Sequence, residues 1–244
     1  MASPADDAAP APRAAPRRRP LGTLREYVEA VLVAVVFALL VKAFLFEAYQ
    51  IPSGSMEESL LVGDHVVVDK LAWAPRELPW GPILPRRELR RGDVVVFRSP
   101  EEPDRDFIKR AVALGGETVE IREKRLRVDG AEPDEPWVIH RDPALVTGSG
   151  VPALLRGRDE LPPRTLPAGT FFALGDNRDE SRDSRVVGPV TADLVRGRAL
   201  FVYWSVRPPG EPFSGRSAGV RRFLDGAIHF FARTRWQRTF RVVR

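Results

Sequence analysis

The sequence predicts a mostly β protein, in which an antiparallel β-sheet core with an inserted smaller β subdomain is preceded by one transmembrane helix. Three observations predict this class. Short β-branched runs, punctuated by Gly and Pro, recur from Val66 to Trp204. Helical and strand patterns do not alternate along the chain, as they would around a parallel sheet. One long apolar run, residues 27–46, precedes every strand pattern.

The composition admits a globular core and excludes cysteine chemistry. With 244 residues the chain can hold one or two domains. Its formal net charge of +5 suits anionic lipid as well as nucleic acid. Because the chain has no cysteine, disulfides, zinc-finger spacings and thiol catalysis are excluded.

The apolar run is predicted to be a transmembrane signal-anchor helix over residues 24–48. About twenty residues of helix span about 30 Å, the hydrocarbon thickness of a bilayer. The stretch Val31–Val41 is apolar all round, whereas an interfacial helix would need a polar face. A buried core helix is the other alternative. Residues 1–23, rich in Ala, Pro and Arg, have little to bury and are predicted to be a disordered basic arm.

The charges around this helix predict its orientation. Five arginines precede the apolar run 27–46, whereas only Lys42 occurs between Arg25 and Lys70. The positive-inside rule then places the arm in the cytoplasm and the residues after Tyr49 outside. Residues 44–49 contain no A-x-A pair, so the helix is predicted to be retained as an anchor.

Residues 49–215 are predicted to form the extracytoplasmic β domain, with variable insertions near residues 73–92 and 130–167. Asp129-Gly130 predicts a tight hairpin turn. The predicted strands are 66–68, 93–97, 107–114, 118–121, 126–128, 170–174 and 199–204. Residues 216–244 are predicted to be a basic amphipathic segment, lying either at lipid headgroups or docked on the β core with solvated arginines.

A bent segment after the anchor carries a candidate nucleophile. Pro52 disfavours helix for the residue before it, and Gly54 gives the backbone unusual freedom. Ser53 and Ser55 therefore lie where a hydroxyl and nearby amide N–H groups can point at one spot. Taken alone, the segment is more typical of a Ser-rich turn that leaves a membrane helix.

The strand pattern after Asp106 offers a base for such a nucleophile. Alternation places Phe107, Lys109, Ala111 and Ala113 on one face, and Ile108, Arg110, Val112 and Leu114 on the other. Edge strands also carry such charges to block aggregation. Holding a free lysine neutral at pH 7 costs about 4.6 kcal/mol, and burial lowers its pKa by about 3–5 units. An apolar site around Lys109 would therefore let a neutral amine take the proton of Ser55.

Two further features bear on the chemistry. His65, His140 and His229 are the only histidines, and their sequence contexts offer no convergent acidic or Ser partners, so they are predicted to be structural. Residues 175–185 contain no apolar side chain, which is typical of a solvated loop or of one braced by internal ion pairs. Because this loop lacks the EF-hand spacing, no metal site is predicted.

Four stretches are distinctive as an ordered set: PSGSM at 52–56, RGDVVVF at 91–97, DFIKRAV at 106–112 and GDNRDESRDSR at 175–185. In this order, behind an N-terminal anchor, they resemble the bacterial type I signal peptidases (leader peptidases), a family of Ser-Lys dyad serine proteases. The resemblance covers most of residues 24–205. It departs from the family at Glu58, where many members have Pro, and near Val186, where an aromatic residue is common.

The resemblance implies catalytic roles for residues of this chain, and it implies no cofactor. The family nucleophile falls on Ser55 and the general base on Lys109. Ser53 falls on the residue whose hydroxyl joins the Ser55 amide in the oxyanion hole, and Ser181 on the residue whose hydroxyl orients the lysine. Asp183 and Arg185 fall on a supporting ion pair, and Asp176 belongs to the same scaffold.

The resemblance also implies partners and a location. The substrates would be secretory preproteins, cleaved after small residues in an A-x-A pattern. The chain would cross the inner (plasma) membrane once, with its catalytic domain on the periplasmic side. Membrane lipids are expected partners and nucleic acid is not. A self-cleaving repressor-type protease is disfavoured by the anchor, and a non-catalytic membrane-tethered β module is the alternative from another class.

Overall fold

The fold is that of a computed structural model, which describes residues 20–71, 87–148, 151–152, 155, 157–208 and 230–243. Within these ranges every pairing between strands is antiparallel. Eight strands form one sheet and three form another. The predicted class, mostly β with antiparallel sheets, is therefore confirmed.

Within the described ranges the chain forms eleven strands, three α-helices and several 3-10 turns, and a helix of 25 residues is the longest of these elements. The strands are β1 (Phe46–Gln50), β2 (Asp64–Asp69), β3 (Val94–Arg98), β4 (Asp106–Leu114), β5 (Thr118–Arg122), β6 (Arg125–Val128), β7 (Leu161–Thr165), β8 (Thr170–Leu174), β9 (Val190–Thr191), β10 (Val195–Ser205) and β11 (Arg241–Val242). The helices are α1 (Pro20–Phe44), α2 (Ser184–Val187) and α3 (Phe230–Arg233). Turns of 3-10 helix occur at Gly54–Met56, Ala192–Leu194 and Trp236–Arg238.

The larger sheet has the strand order β1-β2-β10-β3-β4-β8-β9, and β11 pairs with β10. Alternate residues of its central strand β3 enter different apolar clusters, since Val96 packs with Met56 whereas Val95 packs with Phe171. Both faces of the sheet are therefore covered at this point. Strand β4 lies between β3 and β8, which places its middle residues in the interior of the domain.

A β-bulge in β4 changes the side-chain alternation that the sequence predicted. The pairing of β4 with β8 shifts register between Ala111 and Ala113. Ala113 therefore packs in the same cluster as Val112, and Leu114 packs against the cluster that contains Ala111. The predicted faces are correct before the bulge and wrong for Ala113 and Leu114, because an extra residue in one strand reverses the alternation.

Helix α1 begins before the predicted anchor and ends earlier than predicted. The anchor was predicted over 24–48, but residues 46–48 belong to β1, where hydrogen bonds to β2 hold them in an extended conformation. The predicted basic arm lies outside the described residues up to residue 19. Among the helices in the described ranges, none combines the length and the apolar character that crossing a membrane requires.

The smaller sheet has the order β6-β5-β7 and lies between β4 and β8 in the chain. It begins with β5, earlier than the predicted insertion at 130–167. The predicted turn at Asp129-Gly130 is present: both residues have positive φ, 53° and 81°. Val128 and Ala131 exchange backbone hydrogen bonds across the turn. The chain then leaves the sheet and returns only at β7.

Two predicted segments are described only in part. Of the predicted excursion 73–92, residues 73–86 lie outside the described residues. Of the C-terminal segment, residues 216–229 also lie outside them, and with them most of the predicted amphipathic helix. Residues 230–243 contain α3, a 3-10 turn and β11, whose pairing with β10 docks this end of the chain on the larger sheet.

Candidate active site

Ser55 lies in the 3-10 turn that begins at Gly54, between β1 and β2. Two fully buried neighbours hold the turn, because Met56 and Leu60 pack in the core and the Leu60 N–H donates to the Met56 carbonyl at 2.7 Å. The backbone N–H of Asn177 donates to the Ser55 carbonyl at 3.1 Å, and its side-chain amide donates to the Gly54 carbonyl at 3.4 Å. Ser55 is thereby fixed and only 7% exposed. Asn177 was not among the predicted site residues.

Lys109 reaches Ser55 from strand β4. Its Nζ lies 2.5 Å from Ser55 Oγ, and the residue is 5% exposed. Burial lowers the pKa of Lys109 to about 8; the carboxylates of Asp183 and Asp176 oppose this shift, and the charge of Arg185 supports it. The hydroxyl and the amine that the resemblance singled out are thus in direct contact.

The size of the pKa shift decides how much neutral amine is available. Burial alone was expected to lower the pKa of this lysine by about 3–5 units. The shift from 10.5 to about 8 is smaller, because two buried carboxylates stabilise the ammonium form. At pH 7 roughly one Lys109 in ten is then neutral, at a free-energy cost of about 1.4 kcal/mol.

The loop 175–185 is braced by internal ion pairs, one of its two predicted forms. The Asp183 carboxylate accepts from the Gly175 N–H at 3.1 Å and from Nε and Nη2 of Arg185 at 2.8 Å each. Although burial raises the pKa of Asp183, the Arg185 guanidinium and these hydrogen bonds hold it below its usual value. Arg185 also donates to two backbone carbonyls. Asp183 is therefore a fixed anion near the amine of Lys109.

Asp176 pairs with Arg110, a residue that the sequence analysis did not assign to the site. Both side chains are fully buried, with Nε–Oδ1 and Nη2–Oδ2 distances of 2.8 and 2.7 Å. Arg110 also donates to Ser59 Oγ at 3.1 Å, and its guanidinium lies 4.1 Å from the centre of the Trp137 ring. The pairing of Arg110 with Asp176 follows from the β4–β8 register, which places Arg110 opposite Leu174, two residues before Asp176, and which the sequence does not reveal.

Ser53 and Ser181 are placed near this group without hydrogen bonds to the pair. Ser53 is exposed at the N-terminal end of the 3-10 turn, and its side chain makes no capping hydrogen bond. The buried Ser181 Oγ has no hydrogen-bond partner of normal geometry within the described residues, so the bond to Lys109 that the resemblance implies is not formed. Its hydroxyl contributes to lowering the pKa of Asp183.

Position 175 leaves no room for a side chain. A Cβ on Gly175 would lie 2.3 Å from Ser181 Oγ and 2.5 Å from the Ser55 carbonyl oxygen. Both distances are far shorter than ordinary van der Waals contacts. The loop 175–185 and the nucleophile-bearing turn therefore meet backbone against backbone, which only glycine permits here.

The two described histidines contact other groups. His65 stacks on Trp204 with 4.8 Å between ring centroids, and His140 Nδ1 lies 3.6 Å from an Asp179 carboxylate oxygen. His229 lies outside the described residues. No group of three or more His, Asp or Glu side chains within the described ranges is arranged to ligate a metal ion.

The family model for signal peptidase, peptidase S26, matches residues 24–204. The chain therefore belongs to the signal peptidase family, peptidase S26. This confirms the family predicted from the four ordered motifs, and with it the prediction of an enzyme of the serine peptidase type.

Relatives and one solved structure are similar to this chain. Signal peptidase I of Pseudomonas aeruginosa is 36% identical over 212 residues, which covers 76% of this chain and 74% of the relative. Signal peptidase I of Aquifex aeolicus is 31% identical over 233 residues, covering 76% and 86%. A crystal structure of a signal peptidase I from Enterococcus faecalis is 29% identical, with a TM-score of 0.36, and covers 46% of this chain and 97% of that chain.

Replacing the buried amine is predicted to stabilise the fold. The pKa of Lys109 falls from 10.5 in the unfolded chain to about 8 in the folded protein. Below pH 8 both states are protonated, so burying the ammonium costs about 3 kcal/mol relative to a neutral side chain. Between pH 8 and 10.5 the unfolded chain binds more protons, so wild-type stability rises with pH in this window. Lys109→Met removes this dependence.

Urea unfolding of the detergent-solubilised chain checks this prediction. Lys109→Met should exceed the wild type in unfolding free energy by about 3 kcal/mol near pH 7, and the difference should shrink near pH 10. Lys70→Met, at a partly exposed lysine, is the matched control and should change stability little at either pH. A Lys109→Met chain no more stable than the wild type near pH 7 would contradict the burial argument.

Proposed function

We propose that the protein is a membrane-anchored serine endopeptidase that removes N-terminal signal peptides from secreted preproteins, with Ser55 as nucleophile and Lys109 as general base. The observation that carries the proposal is the 2.5 Å contact between Lys109 Nζ and Ser55 Oγ in a buried site. Membership of the signal peptidase family supports the reaction, and the relatives named Signal peptidase I support the substrate class.

Acylation would begin with a proton transfer inside the dyad. Neutral Lys109 takes the proton of Ser55 Oγ while this oxygen attacks the carbonyl carbon of the scissile peptide bond. When the tetrahedral intermediate collapses, the C–N bond breaks and the Lys109 ammonium gives its proton to the leaving amine. The mature protein leaves as this amine, and the signal peptide stays bound to Ser55 as an ester.

Deacylation repeats the proton transfers with water in place of the serine hydroxyl. Lys109 takes a proton from the water as its oxygen attacks the ester carbonyl, and returns it to Ser55 Oγ as the signal peptide leaves. A base with a pKa of about 8 suits both directions, because it is neutral often enough to accept a proton and acidic enough to donate one.

The negative oxygen of each tetrahedral intermediate would be stabilised beside the nucleophile. The backbone N–H of Ser55 and the hydroxyl of Ser53 are the proposed donors. Ser53 is two residues before the nucleophile, and its hydroxyl makes no capping bond that would hold it away from a substrate carbonyl. Removing one such donor typically costs about 3–4 kcal/mol of transition-state stabilisation.

The surrounding polar groups would act through the lysine. The buried hydroxyl of Ser181, which has no partner of normal geometry among the described residues, is proposed to orient the amine once substrate is bound. Asp183, fixed by Arg185, and Asp176 stabilise the ammonium form that the proton transfers create. Their role is to hold the pKa of Lys109 at a value that serves both transfers.

We further propose that cleavage follows small residues in an A-x-A pattern, at the periplasmic face of the inner membrane. Anchoring of the chain by α1, with its N-terminus in the cytoplasm, is supported by the arginines that precede the helix and by the exposed apolar side chains of residues 31–40. Contact of the C-terminal segment with lipid is supported by its exposed aromatic residues, among them Phe231, Trp236 and Phe240, which accompany several arginines.

Loss of either dyad residue should abolish cleavage. Full-length wild type in detergent is expected to cut a preprotein after its A-x-A site, whereas Ser55→Ala and Lys109→Ala lose at least about 10³-fold in kcat/KM, because each removes the nucleophile or its activation. Lys70→Ala is the control and should retain wild-type activity. Cleavage that survives in Ser55→Ala or Lys109→Ala at near wild-type rate would overturn the mechanism.

The pH dependence of kcat/KM should report the base. Because neutral Lys109 is the reactive form, activity should rise with pH through a limb near pH 8 and level off above it. Asp183→Asn removes a charge that raises this pKa, so the limb should move to lower pH. Asp104→Asn, on an exposed loop, should leave it unmoved. A limb near 10.5, or one that Asp183→Asn leaves in place, would contradict this account.

The proposed anchor predicts how the chain partitions between membrane and solution. Wild type should stay with the membrane pellet after alkaline carbonate extraction. The double substitution Val33→Arg/Phe37→Arg places two charges in α1, each costing about 2.5–3.5 kcal/mol at a bilayer centre, and should release a large fraction of the chain. Leu145→Arg, on an exposed loop of the β domain, should release none. Equal retention of all three chains would refute α1 as a spanning anchor.

A further inference from the structure

The C-terminal segment 230–243 lies beyond residues 24–204, which the family model matches, yet it contacts the loop that carries Ser55. We infer that Arg238 is a positioning residue for catalysis: through it the C-terminal segment clamps the loop 57–64 and so holds Ser55 against Lys109. The inference rests on the proposed function, because it assigns this segment a part in the same reaction.

The segment is a fixed support. Its backbone joins β10 through hydrogen bonds from the Phe240 N–H to the Val202 carbonyl at 2.7 Å and from the Val243 N–H to the Leu200 carbonyl at 2.9 Å. Val243 is buried in the same apolar cluster as Met56, the residue that follows the nucleophile. A group attached to this segment is therefore held relative to the central sheet.

The nearly buried guanidinium of Arg238 donates several hydrogen bonds to the loop 57–64. Its Nη2 lies 2.6 Å from Asp64 Oδ2 and 2.9 Å from the carbonyl oxygen of Ser59, and its Nε lies 3.2 Å from the same Asp64 oxygen. The Asp64 carboxylate is fully buried and also accepts from Ser205 Oγ at 2.5 Å. A buried carboxylate that loses its paired charge is strongly destabilised, so this contact has little freedom to open.

A second arginine of the same segment contacts the same loop. Arg235 Nη2 donates to the Val62 carbonyl at 2.5 Å and to the Val206 carbonyl at 2.9 Å. The loop is thus bound at the carbonyls of Ser59 and Val62 and at the Asp64 side chain. These three contacts span most of the chain between the nucleophile-bearing turn and β2.

Ser59 contacts both the C-terminal segment and strand β4, which carries Lys109. Its carbonyl accepts from Arg238, and its hydroxyl accepts from Arg110, the neighbour of Lys109 on β4. The next residue, Leu60, donates its N–H to the carbonyl of Met56. The clamp therefore sets the position of the nucleophile turn relative to the strand that carries the amine.

Loss of the clamp should act on turnover more than on substrate binding. A displacement of about 1 Å between reacting groups can cost about 10²-fold in rate. A loosened loop would also admit water to the Lys109 amine and weaken the burial that lowers its pKa, which moves the acid limb of the pH profile toward higher pH. A substitution that merely destabilises the fold moves neither kcat of the folded enzyme nor this limb.

The test is steady-state cleavage of an A-x-A preprotein by the full-length chain in detergent, measured across pH. Arg238→Gln should lower kcat by about ten- to hundredfold, with KM changed less than about threefold, and should shift the acid limb upward. Arg238→Lys keeps a charge for Asp64 but not the fork, and should show the same changes to a smaller extent. It serves as the test variant if Arg238→Gln does not fold.

Two controls separate positioning from stability. Arg241→Gln, at an exposed arginine three residues along the same segment, should match the wild type. Val128→Ala, in the core of the smaller sheet, should lower the unfolding free energy while kcat and the acid limb stay at wild-type values. Arg238 variants that behave like Val128→Ala, while wild type cleaves normally, would overturn the clamp alone. A wild-type chain that cleaves no preprotein would overturn the proposed function and the clamp with it.

Discussion

The exclusion of water from one amine is the constraint on which the rest of the site depends. Lys109 stays partly unprotonated only in the interior of the larger sheet, where β3 and β8 flank β4 and the turn that carries Ser55 covers its end. The same burial is unfavourable for Asp176 and Asp183, and each is accordingly paired with an arginine. A carboxylate paired with an arginine raises the pKa of a nearby buried lysine less than an unpaired carboxylate would. The pKa of Lys109 therefore stays close to the pH at which the proposed enzyme would work.

What the sequence could predict was local. Strands with β-branched runs were found because their side chains fit a pleated, half-buried surface, and the Asp129-Gly130 turn was found because both positions require positive φ. Ser55 and Lys109 were found because the residues around each form a recognisable ordered set. At these strands and this turn the local preferences agree with the overall fold, so the prediction and the structure agree there.

What the sequence could not predict depends on pairing between distant segments. Strand β1 follows the apolar run without a break, and only its pairing with β2 makes it a strand. Strand β7 carries Pro162 and Pro163, which argue against a strand until β5 is placed beside it. The bulge at Val112 and the partnership of Arg110 with Asp176 likewise follow from the register of β4 on β8, which no sequence window contains.

The site is therefore a meeting of separate pieces of chain, and each piece limits the movement of the others. Gly175 brings the loop 175–185 against the carbonyl of Ser55, and Arg110 ties that loop and the nucleophile-bearing loop to β4. A strand alone would fix the Cα of Lys109 but not the end of its long side chain. The 2.5 Å contact between Lys109 and Ser55 requires the turn that carries Ser55 to be held as firmly as strand β4. This requirement explains why so many buried hydrogen bonds converge on the ten residues from Ser55 to Asp64.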